Sequence, residues 1–243
     1  LYDKPLIYYP LSILMLAGIK EILIIVNKGQ LAQFRKILPE KNNLGINLRY
    51  KEQNKPGGLP EAFIIGEQFI KKDNVAMILG DNFFYGQNFS SKLRDCRYLK
   101  SGAKIFLHPV NNPNSYGVAT VNKFHKITRL KEKPKKTKSN LAVTGLYFFD
   151  NKVVNFSKKL KPSKRKELEI IDLLNKYKNQ RKLKAEYLGR GGVWLDTGSV
   201  EDFYGASNFI STVEKRQGLK IACLEEIALK NKWINKNDIK KSI

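Results

Sequence analysis

The sequence is poor in cysteine, methionine, tryptophan and histidine, with two residues of each type among 243. Cys96 and Cys223 lie far apart, so they predict neither a disulfide framework nor a metal knuckle. We expect both thiols to be free, as is usual in the reducing cytoplasm. His108 and His125 have no partner at metal-ligand spacing. The sequence therefore predicts neither a histidine-based metal site nor a Ser–His–Asp or Cys–His nucleophile.

Long hydrophobic runs are also absent. The longest apolar stretch, residues 5–19, is interrupted by Tyr8, Tyr9, Pro10 and Ser12, so it is too short and too polar for a membrane span. The first residues have neither a basic region nor a small-residue cleavage site, and they do not predict a secretory signal peptide. We therefore expect no membrane partner and a cytoplasmic location.

Acidic residues are scarce beside basic ones. The chain has 45 lysines and arginines against 22 aspartates and glutamates, a formal net charge of +23. Such an excess is compatible with nucleic-acid binding, but the lysines are spread along the whole chain and alternate with acids. No RNA-binding aromatic signature or helix-turn-helix pattern accompanies them. We expect no nucleic-acid partner, and only a modest attraction to anionic substrates.

Short apolar runs alternate with helical patterns in the first third of the chain. The predicted helices and strands, in chain order, are helix 7–17, strand 21–27, helix 30–38, strand 46–53, helix 59–69 and strand 75–79. A helix between consecutive strands is typical of parallel pairing in an α/β sheet. Strand patterns then follow in quick succession at 103–110, 116–122, 126–134 and 141–150. They predict antiparallel strands added to a parallel core.

We therefore predict an α/β, three-layer, Rossmann-like fold with a mixed, mostly parallel central sheet and helices on both faces. This core covers residues 1–217, and a helical C-terminal segment covers residues 218–243. In such open sheets, ligands bind at the carboxyl ends of the strands.

Two aspartates follow predicted buried strands. Asp81 comes after an apolar run and Gly80, and Asp196 ends the run in GGVWLDTGS. Each aspartate also suits a turn or the cap of a helix, so either one alone has an ordinary structural explanation. If both lie at the same sheet edge, their oxygens suit a hard cation such as Mg²⁺, shared with substrate phosphates.

Other segments suggest ligand contacts of a less specific kind. Gln53, in EQNKPGGLPEA, has an amide that can pair with a base edge, and the following double glycine permits close backbone approach. Glu132 and Lys133 suit sugar hydroxyls and a phosphate, although LKEKP also reads as a solvated charge run. Gly117 and Gly145 interrupt strand patterns, which indicates a ligand or another backbone nearby.

Together these motifs resemble those of the sugar-1-phosphate nucleotidylyltransferases. The resemblance is carried by YDKPLIYYPLSILMLAGI, GLPEAFIIGEQFI, LGDNFFYG, YGVATVN, KEKP, AVTGLYFFD, KPSKRKELEI, WLDTG and ASNFISTVEKRQGLKIACLEEIA, and it covers nearly the whole chain. It implies the nucleotidyltransferase fold of that family. The resemblance is greatest to members that join dTTP and glucose 1-phosphate, giving dTDP-glucose and pyrophosphate for dTDP-sugar biosynthesis.

The resemblance also implies roles for individual residues. It implies that Asp81 and Asp196 hold Mg²⁺ and, with Lys133 near the sugar phosphate, are the catalytic residues. The residues implied to contact the nucleotide are Gln53, Gly58, Leu59 and Asp81. The residues implied to surround the glucose are Tyr116, Gly117, Glu132, Lys133, Val143 and Trp194. The family further implies a homotetramer.

The sequence departs from the family at several points. The family's opening strand and glycine-rich G-G-x-G-T-R loop are absent from residues 1–243, the C-terminal end stops short of the family's last helix, Lys131 replaces an acid and Pro60 replaces a small residue. We therefore expect an incomplete triphosphate site and an empty strand position between 21–27 and 75–79. Unpaired strand edges are costly, so we expect this chain by itself to be poorly stable and inactive.

Two alternative functions stay open at this point. One is a related sugar nucleotidylyltransferase that uses UTP, CTP or GTP, because Gln53 favours a pyrimidine without distinguishing thymine from uracil. The other is a sugar-nucleotide-binding module without catalysis, which the missing glycine-rich loop makes plausible.

Overall fold

The computed structural model describes residues 1–240, and helices alternate with strands in its first part. The elements up to residue 97 are α1 (Tyr8–Leu16), β1 (Glu21–Asn27), α2 (Leu31–Ile37), β2 (Asn47–Gln53), α3 (Glu61–Ile65), α4 (Glu67–Ile70), β3 (Val75–Ile78), β4 (Asn82–Tyr85) and α5 (Phe89–Arg97). The single helix predicted over 59–69 is two short helices that meet at Gly66. Glycine is a poor helix former, which explains the break.

Strands dominate the middle of the chain, and helices dominate its end. The remaining elements are β5 (Ala103–Pro109), β6 (Val118–Val121), β7 (Ile127–Lys131), β8 (Leu141–Phe149), α6 (Lys152–Lys158), α7 (Ile170–Asn179), β9 (Leu183–Tyr187), β10 (Val193–Asp196), α8 (Val200–Gln217), α9 (Leu224–Lys230) and α10 (Lys236–Lys240). The predicted C-terminal segment contains α9 and α10, and its residues 241–243 lie outside the described residues. None of the described helices is both long and apolar enough to cross a bilayer.

The largest sheet is built around β8. Its strand order is β7-β6-β8-β5-β9, and β3 also pairs with β8. Among the described residues, only the β1–β2 and β5–β9 ladders are parallel. The α/β class with a mixed sheet is confirmed, but the expected predominance of parallel pairing is wrong. The reason is that β3, β5 and β6 all run antiparallel to β8.

The two faces of β5 and β8 are covered by different helices. Ile105 and Tyr147 belong to a buried cluster with α3, α6 and α7. Phe106 and Phe148, which are their neighbours in sequence, belong to a second cluster with α1 and α5. Successive side chains of a strand point to opposite faces. The sheet is therefore the middle layer of three, as predicted.

A gap separates β1 from β3. Within the described residues, β1 pairs only with β2, and β3 pairs only with β8. A cavity of about 780 Å³ is lined by both strands, including Leu23, Ile24 and Met77. The empty strand position expected from the family resemblance is between these same two strands. The cavity also reaches Gly80, so it borders the segment that carries Asp81.

Candidate active site

The candidate site lies where the partner strand of β8 changes. β6 and β3 pair with different halves of the same edge of β8. Between these halves, the Val143 N–H donates to the Gly117 carbonyl (2.7 Å), and the Gly145 N–H donates to Asn82 Oδ1 (3.0 Å). The change of partner therefore opens a crevice that Gly117, Val143 and the start of β4 share.

Asp81 and Asp196 meet at this crevice. β4 begins directly after Asp81 and pairs antiparallel with β10, so that Asp196 lies opposite Asn82. A Cβ added to Gly198 would lie 3.2 Å from Asp196 Oδ1 and 3.9 Å from Asp81 Oδ2. Burial raises the pKa of the Asp196 carboxyl, and the negative charge of Asp81 raises it further. The structure thus brings both predicted carboxylates to one small space.

Thr197 holds the two aspartate segments together. Both its backbone N–H (2.9 Å) and its hydroxyl (2.7 Å) donate to the Asp81 carbonyl oxygen. The next N–H, of Gly198, donates to Asp196 Oδ1 (3.1 Å). Two residues of one turn therefore fix the spacing of both carboxylates. Thr197 was not predicted from the sequence, because nothing in WLDTG shows which strand its hydroxyl reaches.

Asn82 connects Asp81 to the aromatic side of the crevice. It is only 1% exposed, and its amide donates to Asp81 Oδ1 (2.8 Å). Its Oδ1 accepts hydrogen bonds from Trp194 Nε1 (2.6 Å) and from the Gly145 N–H. A buried amide needs such partners. Asn82 was not among the residues predicted from the sequence, and it is the first residue of β4.

Tyr116, Gly117 and Glu132 line the next part of the crevice. The rings of Tyr116 and Trp194 meet edge to face with centroids 5.0 Å apart. A Cβ added to Gly117 would lie 2.7 Å from Ile171 Cδ1 and 3.4 Å from Glu132 Oε2. A glycine here therefore makes room for a helix side chain and keeps Glu132 accessible.

Glu132 is joined to residues that the sequence analysis did not select. Arg165 Nη2 lies 2.6 Å from Glu169 Oε2 and 3.4 Å from Glu132 Oε1. Burial raises the pKa of Glu132, and the negative charge of Glu169 adds to this effect. Glu132 is thus a half-buried carboxyl in a cleft. The solvated charge run that LKEKP also suggested does not describe it.

The predicted nucleotide contacts line the cavity between β1 and β3. Gln53, Gly58 and Leu59 all border it. The Gln53 amide donates to the Glu61 carboxylate, which leaves the Gln53 oxygen available. Gly58 has φ +97°, and a Cβ there would lie 2.1 Å from the Leu168 carbonyl oxygen. The close backbone approach predicted at the double glycine is present.

The donor set fits a cation that is shared with a substrate. No group of three or more His, Cys, Asp or Glu side chains within residues 1–240 is arranged to hold a metal ion. Mg²⁺ typically takes one or two carboxylates from the protein and completes its shell with water and phosphate oxygens. Asp81 and Asp196 match that pattern, and they do not form a closed metal cage.

Comparisons with known proteins point to one family. The nucleotidyl transferase family profile matches residues 1–213. The glucose-1-phosphate thymidylyltransferase of Neisseria meningitidis serogroup A is 49% identical over 234 residues, 96% of this chain and 81% of the relative. The enzyme of the same name from Mycobacterium tuberculosis is 44% identical over 234 residues, again 96% of this chain and 81% of the relative.

Solved structures agree with the sequence comparisons. A Bacillus anthracis protein, provisionally named a glucose-1-phosphate thymidylyltransferase and crystallised with sucrose, superposes with a TM-score of 0.77 at 35% identity, covering 84% of this chain and 82% of that one. A UDP-glucose pyrophosphorylase in complex with UDP-glucose superposes with a TM-score of 0.73 at 26% identity, covering 88% of each chain. The chain therefore belongs to the nucleotidyl transferase family and, within it, to the glucose-1-phosphate thymidylyltransferases.

Proposed function

We propose that the protein transfers dTMP from dTTP to glucose 1-phosphate, giving dTDP-glucose and pyrophosphate. The observation that carries this proposal is the convergence of Asp81 and Asp196 beside one spot at Gly198. It is supported by 49% identity to an enzyme named for this activity. Asn82 joins Asp81 to Trp194, which packs against Tyr116, so the proposed metal ligands and the proposed sugar contacts are neighbours.

In the proposed mechanism, the protein aligns two anions and does little covalent chemistry. An oxygen of glucose 1-phosphate attacks the α-phosphorus of dTTP, and pyrophosphate leaves on the opposite side. Asp81 and Asp196 hold Mg²⁺, which neutralises phosphate charge when it is bound. Lys133 holds the sugar phosphate, and Glu132 accepts hydrogen bonds from sugar hydroxyls. Rate enhancement then comes from alignment and charge stabilisation.

The sugar ring is proposed to lie against Tyr116, Val143 and Trp194, with Gly117 providing backbone space. Removing Glu132 as Glu132→Ala should weaken glucose 1-phosphate binding by about 1–3 kcal/mol, because partnered polar groups lose their partner. An unchanged affinity for glucose 1-phosphate would indicate that Glu132 is an ordinary solvated charge that does not contact the sugar.

On the nucleotide side, we propose that Gln53 reads the base and that Gly58 and Leu59 lie against the ring. The Gln53 amide N–H is already donated to Glu61, so its oxygen is the group left to accept a hydrogen bond from the base. Thymine and uracil both offer a ring N–H there. The 26% identity to a UDP-glucose enzyme makes UTP the competing nucleotide to test.

We further propose that a strand with a glycine-rich loop completes the triphosphate site. The cavity of about 780 Å³ between two singly paired strands supports this assignment, as does its extension to Gly80 beside Asp81. Backbone N–H groups of such loops are suited to bind phosphate oxygens.

We also propose, from the family resemblance, that the protein is a cytoplasmic homotetramer. The free thiols of Cys96 and Cys223 are compatible with a reducing compartment.

A pyrophosphate-release assay tests the proposed activity. The full-length gene product is supplied with Mg²⁺, glucose 1-phosphate and, in turn, dTTP, UTP, CTP or GTP. We expect turnover that prefers dTTP and that is lost in Asp196→Asn. A preference for another triphosphate would establish the related nucleotidylyltransferase instead. Binding of dTDP-glucose without turnover of any triphosphate would establish the non-catalytic module.

A further inference from the structure

Two loops beside the sugar pocket carry a concentrated positive charge. Residues 131–138, at the end of β7 and in the loop after it, and residues 161–169, in the loop before α7, together contain nine basic residues and only three acidic ones. We call the nine basic residues the basic collar, and they are Lys131, Lys133, Lys135, Lys136, Lys138, Lys161, Lys164, Arg165 and Lys166. All nine are exposed.

The charge of the collar is largely unneutralised. Among residues 1–240, none of its eight lysines forms an ion pair within 4.0 Å, and only Arg165 does, with Glu132 and Glu169. An exposed lysine without a counter-ion contributes its full charge to the field outside the protein. The field of the collar is therefore directed at solvent and at arriving ligands.

The collar borders the proposed sugar pocket. Arg165 and Glu132 approach to 3.4 Å and so bring the two loops together. The first loop is also tied to the turn that precedes Tyr116, because Asn114 Nδ2 donates to the Lys135 carbonyl oxygen (3.4 Å). The interior beyond this rim is acidic, since it contains Asp81, Asp196 and Glu132.

Before Mg²⁺ binds, an acidic interior repels the substrates of the proposed reaction, because both are anions. We propose that the basic collar is an electrostatic capture surface, which concentrates the anionic sugar phosphate at the mouth of the pocket. This inference rests on the proposed function. A rim of one sign raises the local concentration of oppositely charged ligands, and salt weakens the effect.

The opposite end of the sheet offers a matched control. Lys71 and Lys72 precede β3, whereas Asp81 follows it, so the two lysines lie at the opposite end of this strand. Asn151 Nδ2 donates a hydrogen bond to the Lys72 carbonyl oxygen (2.8 Å), which places the next residue, Lys152, at the same end. The length of the strand separates that end from the site by on the order of 15–20 Å. This exceeds the Debye length of about 10 Å at 0.1 M salt.

The experiment compares two triple variants in the full-length gene product. One is K136E/K138E/K164E in the collar, and the other is K71E/K72E/K152E at the far end, so that each lowers the net charge equally. At about 0.1 M salt, we expect the collar variant to raise KM for glucose 1-phosphate by about three- to tenfold with kcat unchanged. The difference should disappear at about 0.5 M salt, and the control should resemble wild type.

Several results would overturn the proposal. Equal changes in both variants would assign the effect to total charge, and no change in either would leave the collar without a role. A change that persists in high salt or that lowers kcat would indicate a structural cause, which thermal melting would also reveal. If the wild-type protein has no turnover, the proposed function fails. Equilibrium binding of glucose 1-phosphate to the three proteins at both salt concentrations then shows whether the collar attracts the sugar phosphate.

Discussion

At the scale of single residues, the site depends on side chains that hold other side chains. The two aspartates were predictable, because a carboxylate after a buried strand is conspicuous in any sequence. Asn82, Thr197 and Arg165 were not predictable, because their partners lie in distant segments. Local pattern identifies the groups that face a ligand, whereas the groups that position them are defined only by the folded chain.

Thr197 provides a direct test of this positioning. Thr197→Val removes the hydroxyl that donates to the Asp81 carbonyl and keeps the shape of the side chain. We expect the Mg²⁺ concentration that gives the half-maximal rate to rise by about two- to tenfold. This range corresponds to the free energy that one hydrogen bond contributes after its exchange with water. Mn²⁺ binding followed by electron paramagnetic resonance should weaken in parallel. Thr197→Ser keeps the hydroxyl and should behave as wild type, so equal Mn²⁺ affinity in all three proteins would contradict the role.

Gly198 tests whether the two carboxylates share one cation. Gly198→Ala places a methyl group 3.2 Å from Asp196 Oδ1 and 3.9 Å from Asp81 Oδ2, inside the space where the ion is proposed to lie. We expect kcat to fall by at least roughly tenfold, the consequence of losing about 1.4 kcal/mol of transition-state stabilisation. Gly205→Ala is the control, because nothing lies within 4 Å of its added Cβ. Full activity of Gly198→Ala would argue against a shared ion.

Glu132 should show a conflict between stability and sugar binding. Burial raises its pKa, so the ionised form is less favourable in the folded chain than in the unfolded one, and this cost exists above the folded pKa. Glu132→Gln should therefore raise the Tm at pH 7 while it weakens sugar binding. The gain should be complete above the raised folded pKa, shrink as the pH falls from there towards the ordinary glutamate pKa of about 4.3, and be absent below that value. Melting curves between pH 4 and pH 8 measure this, and a gain independent of pH would contradict the assignment.

At the scale of elements, the sequence predicted the elements from α1 to β3 and from β5 to β8 but missed β4 and α5. The phrase GDN reads as a turn, and NFFY alone does not reveal that β10 lies beside it. The division of the β8 edge between β6 and β3 was also beyond reach, because it depends on strand pairing over long separations. Yet this division is what creates the crevice.

Gly145 is the element-scale test, because it sits where the partner of β8 changes. A Cβ at Gly145 would lie 2.4 Å from Asn82 Oδ1 and 2.8 Å from Leu79 Cδ1. Gly145→Ala should force the start of β4 away from β8 and lower the free energy of unfolding by about 1–3 kcal/mol. Urea denaturation measures the loss. Gly80→Ala, in the adjoining connection, meets nothing within 4 Å and should leave stability nearly unchanged; similar losses in both variants would refute the steric explanation.

At the scale of the whole molecule, the family and its three layers were predictable from motifs that cover the chain. The proportion of parallel strand pairing was not predictable, since the alternation of helices and strands describes only the first third of the chain. The cavity between β1 and β3 was expected from the resemblance and not from composition or periodicity.

This cavity leads to the whole-molecule prediction. We expect residues 1–243 alone to have low stability and no measurable turnover. A longer chain with an added strand and glycine-rich loop should be more stable and should turn over its substrates. Each buried backbone group left unpaired costs about 1–3 kcal/mol, against a total of about 5–15 kcal/mol for an ordinary fold. Urea denaturation and pyrophosphate release on the two proteins measure the difference. Robust turnover by the shorter chain would show that the triphosphate site lies elsewhere.

The segment 163–169 touches both halves of the site. The Leu168 N–H donates to the Gly57 carbonyl (2.8 Å) on the nucleotide side, and Arg165 approaches Glu132 on the sugar side. One short piece of backbone is thus a common wall between two compartments. A shift that either occupant imposes on this wall is felt by the other, and thermodynamic reciprocity makes the two effects on affinity equal. The two proposed substrate sites would then be coupled through one piece of backbone, without any direct contact between the substrates.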